Sequence, residues 1–440
     1  MKKRLRKIHR APDLHHAESV PIAGFRLISA KTSTPEIVSF SGSFLCGTAH
    51  DRTRKGIITQ VLAEMLLEGT KKRDTRAFNQ ALEEIGATLS FAATSTRITF
   101  EAICLARYAP VLIELLAEAL REPALHSRSL GAVKKRLFGE LRLEEDDMKS
   151  TAKVAWTRLV YPPSHPHYEP TVAERKEQLR LLRKGELTAF HLAYFGVGSL
   201  VLSAAGAVDA KVLRREVVKH FSGWRRIPTS QTTLLQPKAR VMPRAMRILS
   251  VREKASVDMF LGSSLTLTKR SPDYYPLLVG LSVLGARGFT GRLFQIVREK
   301  LGLTYGIYAL PGGFEEQLRG YWYISATFAP ALFASGLAAT KRELSRFLKG
   351  GPTAREIADQ KHIISSHYLL SLASSRGVAL VVRLLAEERA ERVDLDLFLR
   401  RIESVTPQQV RASLQHLRVA RRSLSAAGSI SGKGEPIGRG

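Results

Sequence analysis

The two halves of the chain repeat the same order of predicted elements. In the first half, the helical pattern RAFNQALEEIGA is followed by strand patterns in TLSFAATSTRITFEAI and by the helical RYAPVLIELLAEALREP. In the second half, GRLFQIVREKLG is followed by LTYGIYAL, by GYWYISATF and by the helical PALFASGLAATKRELSRFL. Each half closes on a polar helix and a strand that contains LSAAG. This recurrence predicts two domains related by duplication.

Strands come in adjacent runs, and helices come in pairs between them. This grouping predicts an α+β fold in which each domain has a largely antiparallel sheet, covered by helices on one side. A chain of 440 residues is also too long for one ordinary core. The aperiodic segment QTTLLQPKARVMPRAM marks a linker between the halves. We predict a basic extension, a first domain, a linker, a second domain and a flexible tail at residues 1–20, 21–226, 227–246, 247–431 and 432–440.

Composition excludes several classes of protein. Cys46 and Cys104 are the only cysteines, too few for a disulfide framework or a thiolate zinc cage. Apolar runs end before the roughly 20 residues that a membrane-spanning helix needs. The basic start MKKRLRKIHRAPDLHH lacks the following apolar region of a secretory signal, and it lacks the serines of an organellar transit segment. We therefore expect a soluble, cytoplasmic protein without a membrane span.

Basic residues outnumber acidic ones, with 68 Lys and Arg against 40 Asp and Glu and a formal net charge of +28. Such an excess favours acidic partners, which include nucleic acid, anionic membranes and acidic peptides. The basic residues are nevertheless spread along the whole chain, and no aromatic residues are interleaved with the clusters as a single-strand stacking platform requires. We interpret them as a solvated surface and expect no specific nucleic-acid partner.

The segment KGIITQVLAEMLLEGTKKR has the pattern of a helix with one apolar face. Gln60 and Glu64 fall together on the opposite face, one helical turn apart. The apolar positions recur with helical spacing at Ile58, Val61, Leu62, Met65 and Leu66.

At this point the chain resembles the pitrilysin/insulinase family of zinc peptidases, the inverzincins. Their H-x-x-E-H helix runs into a methionine, a short apolar pair and a Gly-Thr turn, and MLLEGTKKR matches that tail. Counted back from Gly69 and Thr70, the family's zinc-binding histidines fall on Gln60 and Glu64, and its catalytic glutamate falls on Ala63. An alignment shifted by one residue leaves no histidine in the site either. The resemblance therefore implies a degenerate zinc motif.

The family's third ligand is a glutamate further downstream, and Glu140 in KKRLFGELRLEEDD matches it. A pair of Glu64 and Glu140 could hold a hard cation weakly, but without imidazole ligands and a base it would not make a hydrolytic zinc site. A surface carboxylate on an amphipathic helix is the simpler interpretation of Glu140. His165 and His167, in the proline-rich loop YPPSHPHYEP, resemble a segment of the family that we interpret as structural.

A second segment, GRLFQIVREKLGLTYGIYA, resembles the family's second-domain signature. There a helix ends at a glycine and delivers a tyrosine on the following strand. By that resemblance, Arg298 and Tyr305 match the arginine and tyrosine that bind substrate beside the zinc. Gly302 is a natural helix C-cap, and guanidinium and phenol are donors suited to a peptide carbonyl. The predicted buried face of the helix consists of Leu293, Ile296, Val297 and Leu301.

The resemblance implies a non-catalytic, substrate-binding subunit of a heteromeric zinc peptidase, of the short bacterial two-subunit type. A homologous partner subunit with an intact H-x-x-E-H would carry the zinc, and this chain alone would bind no cofactor and cleave nothing. The substrate would be a peptide. The alternative is a peptide-binding or scaffold protein with no catalytic association. An independently active enzyme is disfavoured because the general base is missing.

Overall fold

Two compact units make up the protein, and neither is a single continuous stretch of sequence. Unit 1 comprises Met1–Gly139, Arg175–Leu235 and Ser366–Leu399, and unit 2 comprises Glu140–Glu174, Gln236–Ser365 and Arg400–Gly440. Residues 233 and 235–243 of the predicted linker 227–246, like residues 1–16 and 438–440, lie outside the described residues. The computed structural model describes residues 17–22, 24–32, 36–51, 56–207, 209–232, 234, 244–286, 290–315, 318–388, 394–419 and 422–437.

Unit 1 is built on sheet 1, which has six strands in the order β1-β2-β6-β3-β5-β4. The neighbours β2 and β6 run parallel, and every other pair in the sheet is antiparallel. The first strand includes four residues of the predicted N-terminal extension. The strands are β1 (Ala17–Ile22), β2 (Phe25–Lys31), β3 (Ile37–Phe44), β4 (Thr88–Ala93), β5 (Ile98–Leu105) and β6 (Leu200–Gly206).

Unit 2 is built on sheet 2, which has five strands in the order β7-β11-β8-β10-β9. Its strands are β7 (Met246–Ser250), β8 (Val257–Ser264), β9 (Gly306–Gly312), β10 (Tyr321–Phe328) and β11 (Ser423–Gly428). Only β7 and β11 run parallel among its pairs. This is the order and direction of β2-β6-β3-β5-β4 in unit 1, and the two LSAAG segments lie in the equivalent strands β6 and β11. The predicted duplication and the largely antiparallel α+β fold are confirmed.

Helices fill the longer connections between these strands. No described helix is by itself long and apolar enough to cross a membrane, although α12 and α13 meet that test together across a bend of 111°. A separate π-helix spans Phe294–Lys300. In chain order, the α-helices are α1 (Ile57–Met65), α2 (Thr75–Glu84), α3 (Ala109–Arg121), α4 (Ser127–Glu145), α5 (Met148–Val160), α6 (Val172–Leu181), α7 (Lys184–Tyr194), α8 (Ala210–Phe221), α9 (Thr229–Thr232), α10 (Tyr274–Gly285), α11 (Phe333–Gly350), α12 (Ala354–Ser371), α13 (Ser375–Glu387), α14 (Asp396–Ser404), α15 (Pro407–Ser413) and α16 (Gln415–Val419).

Each unit includes one covering helix that comes from the other half of the sequence. Helix α13, from the second half, packs on β3 and β6 of unit 1, and α5, from the first half, packs on β8 and β11 of unit 2. In β3, Ser39 faces α13 through a hydroxyl contact with Ser375, whereas Phe44 stacks on Phe195. Successive side chains of a strand point to opposite faces, so both faces are covered here. For sheet 1, the expectation of helices on one side is therefore wrong, because it took no account of the exchanged helix α13.

Two lysines show the duplication at the level of single contacts. In unit 1, the Nζ of Lys134 on α4 donates to the carbonyl oxygens of Arg180 (3.2 Å) and Leu182 (2.5 Å), where α6 ends. In unit 2, the Nζ of Lys361 on α12 donates to the carbonyl oxygens of Glu403 and of Val405 (2.9 Å), where α14 ends. Both cations satisfy carbonyl groups that a helix C-terminus leaves unpaired.

Candidate functional site

The first candidate face lies on α1 of unit 1. All five residues of the predicted apolar stripe are buried, from 0 % to 4 % exposed. Gln60 and Glu64 are half-buried on the other side, and Ala63 is buried. Gly56 begins the helix with a φ of +86°, and a Cβ there would lie 2.7 Å from Thr48, so glycine is required at this start. The helix thus forms as predicted, with the degenerate residues where the sequence placed them.

The carboxylate of Glu64 is engaged by an arginine of α4. The Nη2 of Arg136 donates to Oε2 of Glu64 at 2.6 Å, and Nη1 lies 3.7 Å from Oε1 of Glu68. Glu140 is exposed on the part of α4 that belongs to unit 2. Within the described ranges, no three His, Cys, Asp or Glu side chains are arranged to hold a metal ion. A hydrolytic zinc site takes imidazole or several carboxylate ligands and an open position, so the residues at this face do not fit zinc.

The second candidate site lies in unit 2 at the π-helix Phe294–Lys300. The N–H of Leu301 bonds to the carbonyl of Ile296 at 3.1 Å, five residues back, which is the π pattern. Gly302 follows with a φ of +62°, and its N–H bonds to the carbonyl of Arg298 at 2.9 Å. The predicted glycine cap is therefore present. Single π turns recur at functional sites in proteins.

The wide turn changes which side chains are buried. Leu293 and Val297 are fully buried as predicted, and Ile296 is half-buried. Leu301 is 44 % exposed, so its predicted burial is wrong. Four residues complete a turn in an α-helix but not in a π-helix, so Leu301 moves off the face that Val297 occupies.

Arg298 and Tyr305 lie next to each other. The Cζ of Arg298 is 5.3 Å from the ring centroid of Tyr305 and 4.5 Å from that of Phe294. The arginine side chain is 30 % exposed, and Nε lies 3.8 Å from a carboxylate oxygen of Glu299. A guanidinium within about 6 Å of two aromatic rings is attracted by both, which restricts its orientation. The structure therefore brings together the two residues that the sequence analysis paired.

Tyr305 is presented by a short turn rather than by a strand. It is 86 % exposed and lies one residue before β9, so the expected place on the strand is off by one residue. Buried Thr304 fixes this turn, because its hydroxyl contacts the carbonyls of Gly306 (3.0 Å) and Thr327 and accepts from the N–H of Gly306 (3.2 Å). The result is a large aromatic ring held in the open by an anchored backbone.

An ion pair fastens the start of the same segment. The Nε and Nη2 of Arg292 donate to the two carboxylate oxygens of Glu356 at 2.6 and 2.8 Å, and Nη2 also donates to the carbonyl of Gly351 at 3.1 Å. The guanidinium lowers the pKa of Glu356 to about 2, helped by the Thr353 donors. This two-pronged pairing connects the segment that carries Arg298 to the beginning of α12.

The histidine loop lies in unit 2 among aromatic rings. The His165 ring stacks on Tyr161 at 4.1 Å, and the His167 ring meets Tyr321 edge-on at 5.4 Å. Burial lowers the pKa of His165 to about 3, with a contribution from His167, and burial lowers the pKa of His167 to about 4. Both rings are therefore neutral at pH 7, which supports their interpretation as structural.

Three contributors escaped sequence reasoning. Arg136 is one of many arginines, and only the fold shows that it meets Glu64. The sequence indicates a core residue at Phe294, and the side chain is indeed only 5 % exposed, but its ring also contacts the guanidinium of Arg298. Thr304 has no local signal for its buried role. The RLFQ segment itself was the signal that could have pointed to Phe294.

Comparisons with family models agree with this arrangement. Residues 26–154 match the model described as Insulinase (Peptidase family M16). Residues 182–364 match the model described as Peptidase M16 inactive domain. The first match contains the degenerate α1, and the second contains Arg298 and Tyr305.

Whole-chain comparisons give the same picture. The chain is 23 % identical to an uncharacterized zinc protease of Streptomyces coelicolor over 93 % of this chain and 89 % of that protein. It is 22 % identical to the mitochondrial-processing peptidase subunit beta of Lentinula edodes over 76 % of this chain and 70 % of that one. Among solved structures, a peptidase M16 inactive domain from Pseudomonas fluorescens superposes with a TM-score of 0.83 at 21 % identity, covering 93 % of this chain and 98 % of the other.

Proposed function

Because this chain belongs to the insulinase (M16) peptidase family, we propose that it is a non-catalytic, substrate-binding subunit of a heteromeric zinc peptidase. A homologous partner subunit with an intact H-x-x-E-H would carry the zinc. Arg298 and Tyr305 of this chain would bind the peptide beside that zinc. The observation that carries the proposal is this pair, a half-buried Arg298 beside an exposed Tyr305, in a chain whose own α1 lacks the zinc ligands.

The chemistry of the pair suits a peptide backbone. A guanidinium offers several N–H donors and no acceptor, and a phenol offers one O–H donor. Both can donate to a peptide carbonyl or to the negative oxygen that develops when that carbonyl is attacked. The ring of Phe294 and the anchored turn at Thr304 reduce the freedom that the two groups would lose on binding.

The relatives support a division of labour between subunits. One relative is named as a subunit of the mitochondrial-processing peptidase, and the second family model is described as an inactive domain. The degenerate motif on α1 is consistent with a chain that does not hydrolyse peptides by itself. A partner of the same family would supply the missing imidazoles and the base.

The test uses the full chain with a homologous subunit that has an intact H-x-x-E-H, mixed in equal amounts. Activity on a fluorogenic peptide should appear only in the mixture. Arg298→Ala and Tyr305→Phe should each lower kcat/KM at least tenfold, because each removes a hydrogen-bond donor and leaves a buried peptide carbonyl without a partner. Lys300→Ala, an exposed cation of the same π-helix, is the matched control and should leave the rate unchanged.

Full activity in both variants would remove the role given to the pair. If no homologous subunit binds the chain, but a labelled peptide still binds and Arg298→Ala weakens it, the chain is a peptide-binding protein with no catalytic association. Zinc analysis of the mixture should find the metal in the partner.

A further inference from the structure

Three charged side chains meet at the degenerate face of unit 1. Glu64 is near the end of α1, and Glu68 follows one turn later, just beyond the helix. The guanidinium of Arg136 reaches both, with N–O separations of 2.6 Å to Glu64 and 3.7 Å to Glu68. The side chains are 37 %, 17 % and 45 % exposed for Glu64, Glu68 and Arg136.

We propose that Arg136 is a built-in cation that takes the place of a metal ion at this face and keeps a divalent cation out. An arginine side chain is always charged, and its fork of donors matches carboxylate oxygens. It therefore neutralises Glu64 and Glu68 and joins α1 to α4, which is the combination of charge balance and cross-linking that a bound metal provides. This inference concerns unit 1 and does not depend on the role proposed for Arg298.

The position of Arg136 in the helix sharpens this inference. Arg136 precedes Glu140 by four residues, so both project from the same side of α4. The helix in which the resemblance expects an anionic third ligand thus delivers a cation one turn earlier. A metal ion entering between Glu64 and Glu68 would have to displace the guanidinium or accept a positive charge beside it, and both outcomes weaken binding.

The first experiment measures binding of Mg²⁺ and Zn²⁺ to the full chain by isothermal titration calorimetry. Arg136→Gln frees the two carboxylates and should bind at least one of these ions tenfold or more tightly than the unmodified chain. Arg142→Gln removes an exposed charge elsewhere on α4 and should behave like the unmodified chain. Equal gains in the two variants would mean that general charge, rather than the Arg136 contact, controls access.

The second experiment introduces one imidazole and leaves both carboxylates in place. Gln60→His should bind zinc at least tenfold more tightly when combined with Arg136→Gln than when Arg136 is present. Circular dichroism confirms folding, and Arg136→Met, which keeps the aliphatic stem, replaces Arg136→Gln if that variant does not fold. Equal zinc affinity with and without Arg136 would overturn the proposal.

Discussion

The helix over sheet 1 and the helix over sheet 2 hold equivalent places with different chemistry. Helix α13 meets sheet 1 through small apolar residues on one side and through a charged network on the other. Helix α5 meets sheet 2 through aromatic rings. The serine hydroxyl of each LSAAG segment donates to a carbonyl of its covering helix, from Ser203 to Ala379 at 2.7 Å and from Ser425 to Ala152 at 2.6 Å. The duplication therefore preserved the position of the covering helix and this one contact, but not the other interactions that keep the helix there.

The charged network in unit 1 centres on Glu387 near the end of α13. Its carboxylate accepts from the hydroxyl of Ser43 at 2.6 Å and from the guanidinium of Arg383, and Arg97 lies 3.6 Å away. Arg383 also donates to the hydroxyl of Ser41 at 2.9 Å. The three charged side chains are only 8 % to 11 % exposed, so each depends on the others for compensation of its lost water.

The aromatic contact in unit 2 centres on Trp156 of α5. The indole is fully buried, with the rings of Tyr321, Tyr323 and Phe260 at centroid distances of 5.4, 5.9 and 6.4 Å. Such contacts depend mainly on buried area and tolerate small shifts. A network of charges and hydroxyls requires fixed partners. The charged network of unit 1 thus fixes the register of α13 on its sheet, whereas the aromatic rings of unit 2 stabilise α5 mainly through the apolar area that they bury.

The largest effect should come from breaking the charged network. Glu387→Gln removes the charge that two buried guanidiniums share, and should lower the free energy of unfolding by about 3 kcal/mol. Urea unfolding with hydrogen exchange of α13 measures this. Asp359→Asn, which changes a 67 % exposed carboxylate, is the control and should change stability by less than about 0.5 kcal/mol. If Glu387→Gln also changes stability by less than about 0.5 kcal/mol, α13 is held by apolar packing, as α5 is.

Low pH should destabilise unit 2, with its aromatic contacts, through His167. Its folded pKa is about 4, below the usual value of 6.5, because the ring is buried. The stabilising contribution is therefore complete above pH 6.5 and is lost as the pH falls toward 4, because only the unfolded state takes up the proton in that range. One such group accounts for about 2 kcal/mol between pH 7 and pH 5.

His167→Phe should remove its share of this pH dependence in urea titrations and leave that of His165 and His191, whose pKa values are also lowered by burial. His126→Gln, at an exposed position, should leave the profile unchanged. Unit 2 has two histidines with a lowered pKa, His165 and His167, whereas unit 1 has His191, whose pKa burial lowers to about 4. Hydrogen exchange at acidic pH should therefore accelerate around β10 in unit 2 before it does around β3 in unit 1. The reverse order would mean that His191 dominates the response to acid.

Sequence reasoning succeeded where the signal is local. Spacing alone predicted the buried stripe of α1, and the repeated LSAAG marked the equivalent strands β6 and β11. It failed where distant segments meet. Nothing near Glu387 reveals that its partners are Arg97 and Ser43, and nothing near Glu64 reveals Arg136, because such pairs depend on how the helices lie on the sheets. The sequence did not predict the π turn, because an α-helix and a π-helix bury nearly the same residues. The difference shows only at the displaced residue, which here is Leu301.

The smallest effect should be equal in the two units. Lys134→Met and Lys361→Met each remove a cation that satisfies the last carbonyls of a helix, and each should cost about 1 kcal/mol. Methionine keeps the length of the side chain, so the loss reports the charged donor. Thermal unfolding measures both, with Lys135→Met, an exposed neighbour, as the control. Matched losses would show that these two caps kept their strength through the duplication while the covering helices diverged. A loss in one unit only would show that the lysine caps diverged after the duplication, as the covering helices α13 and α5 did.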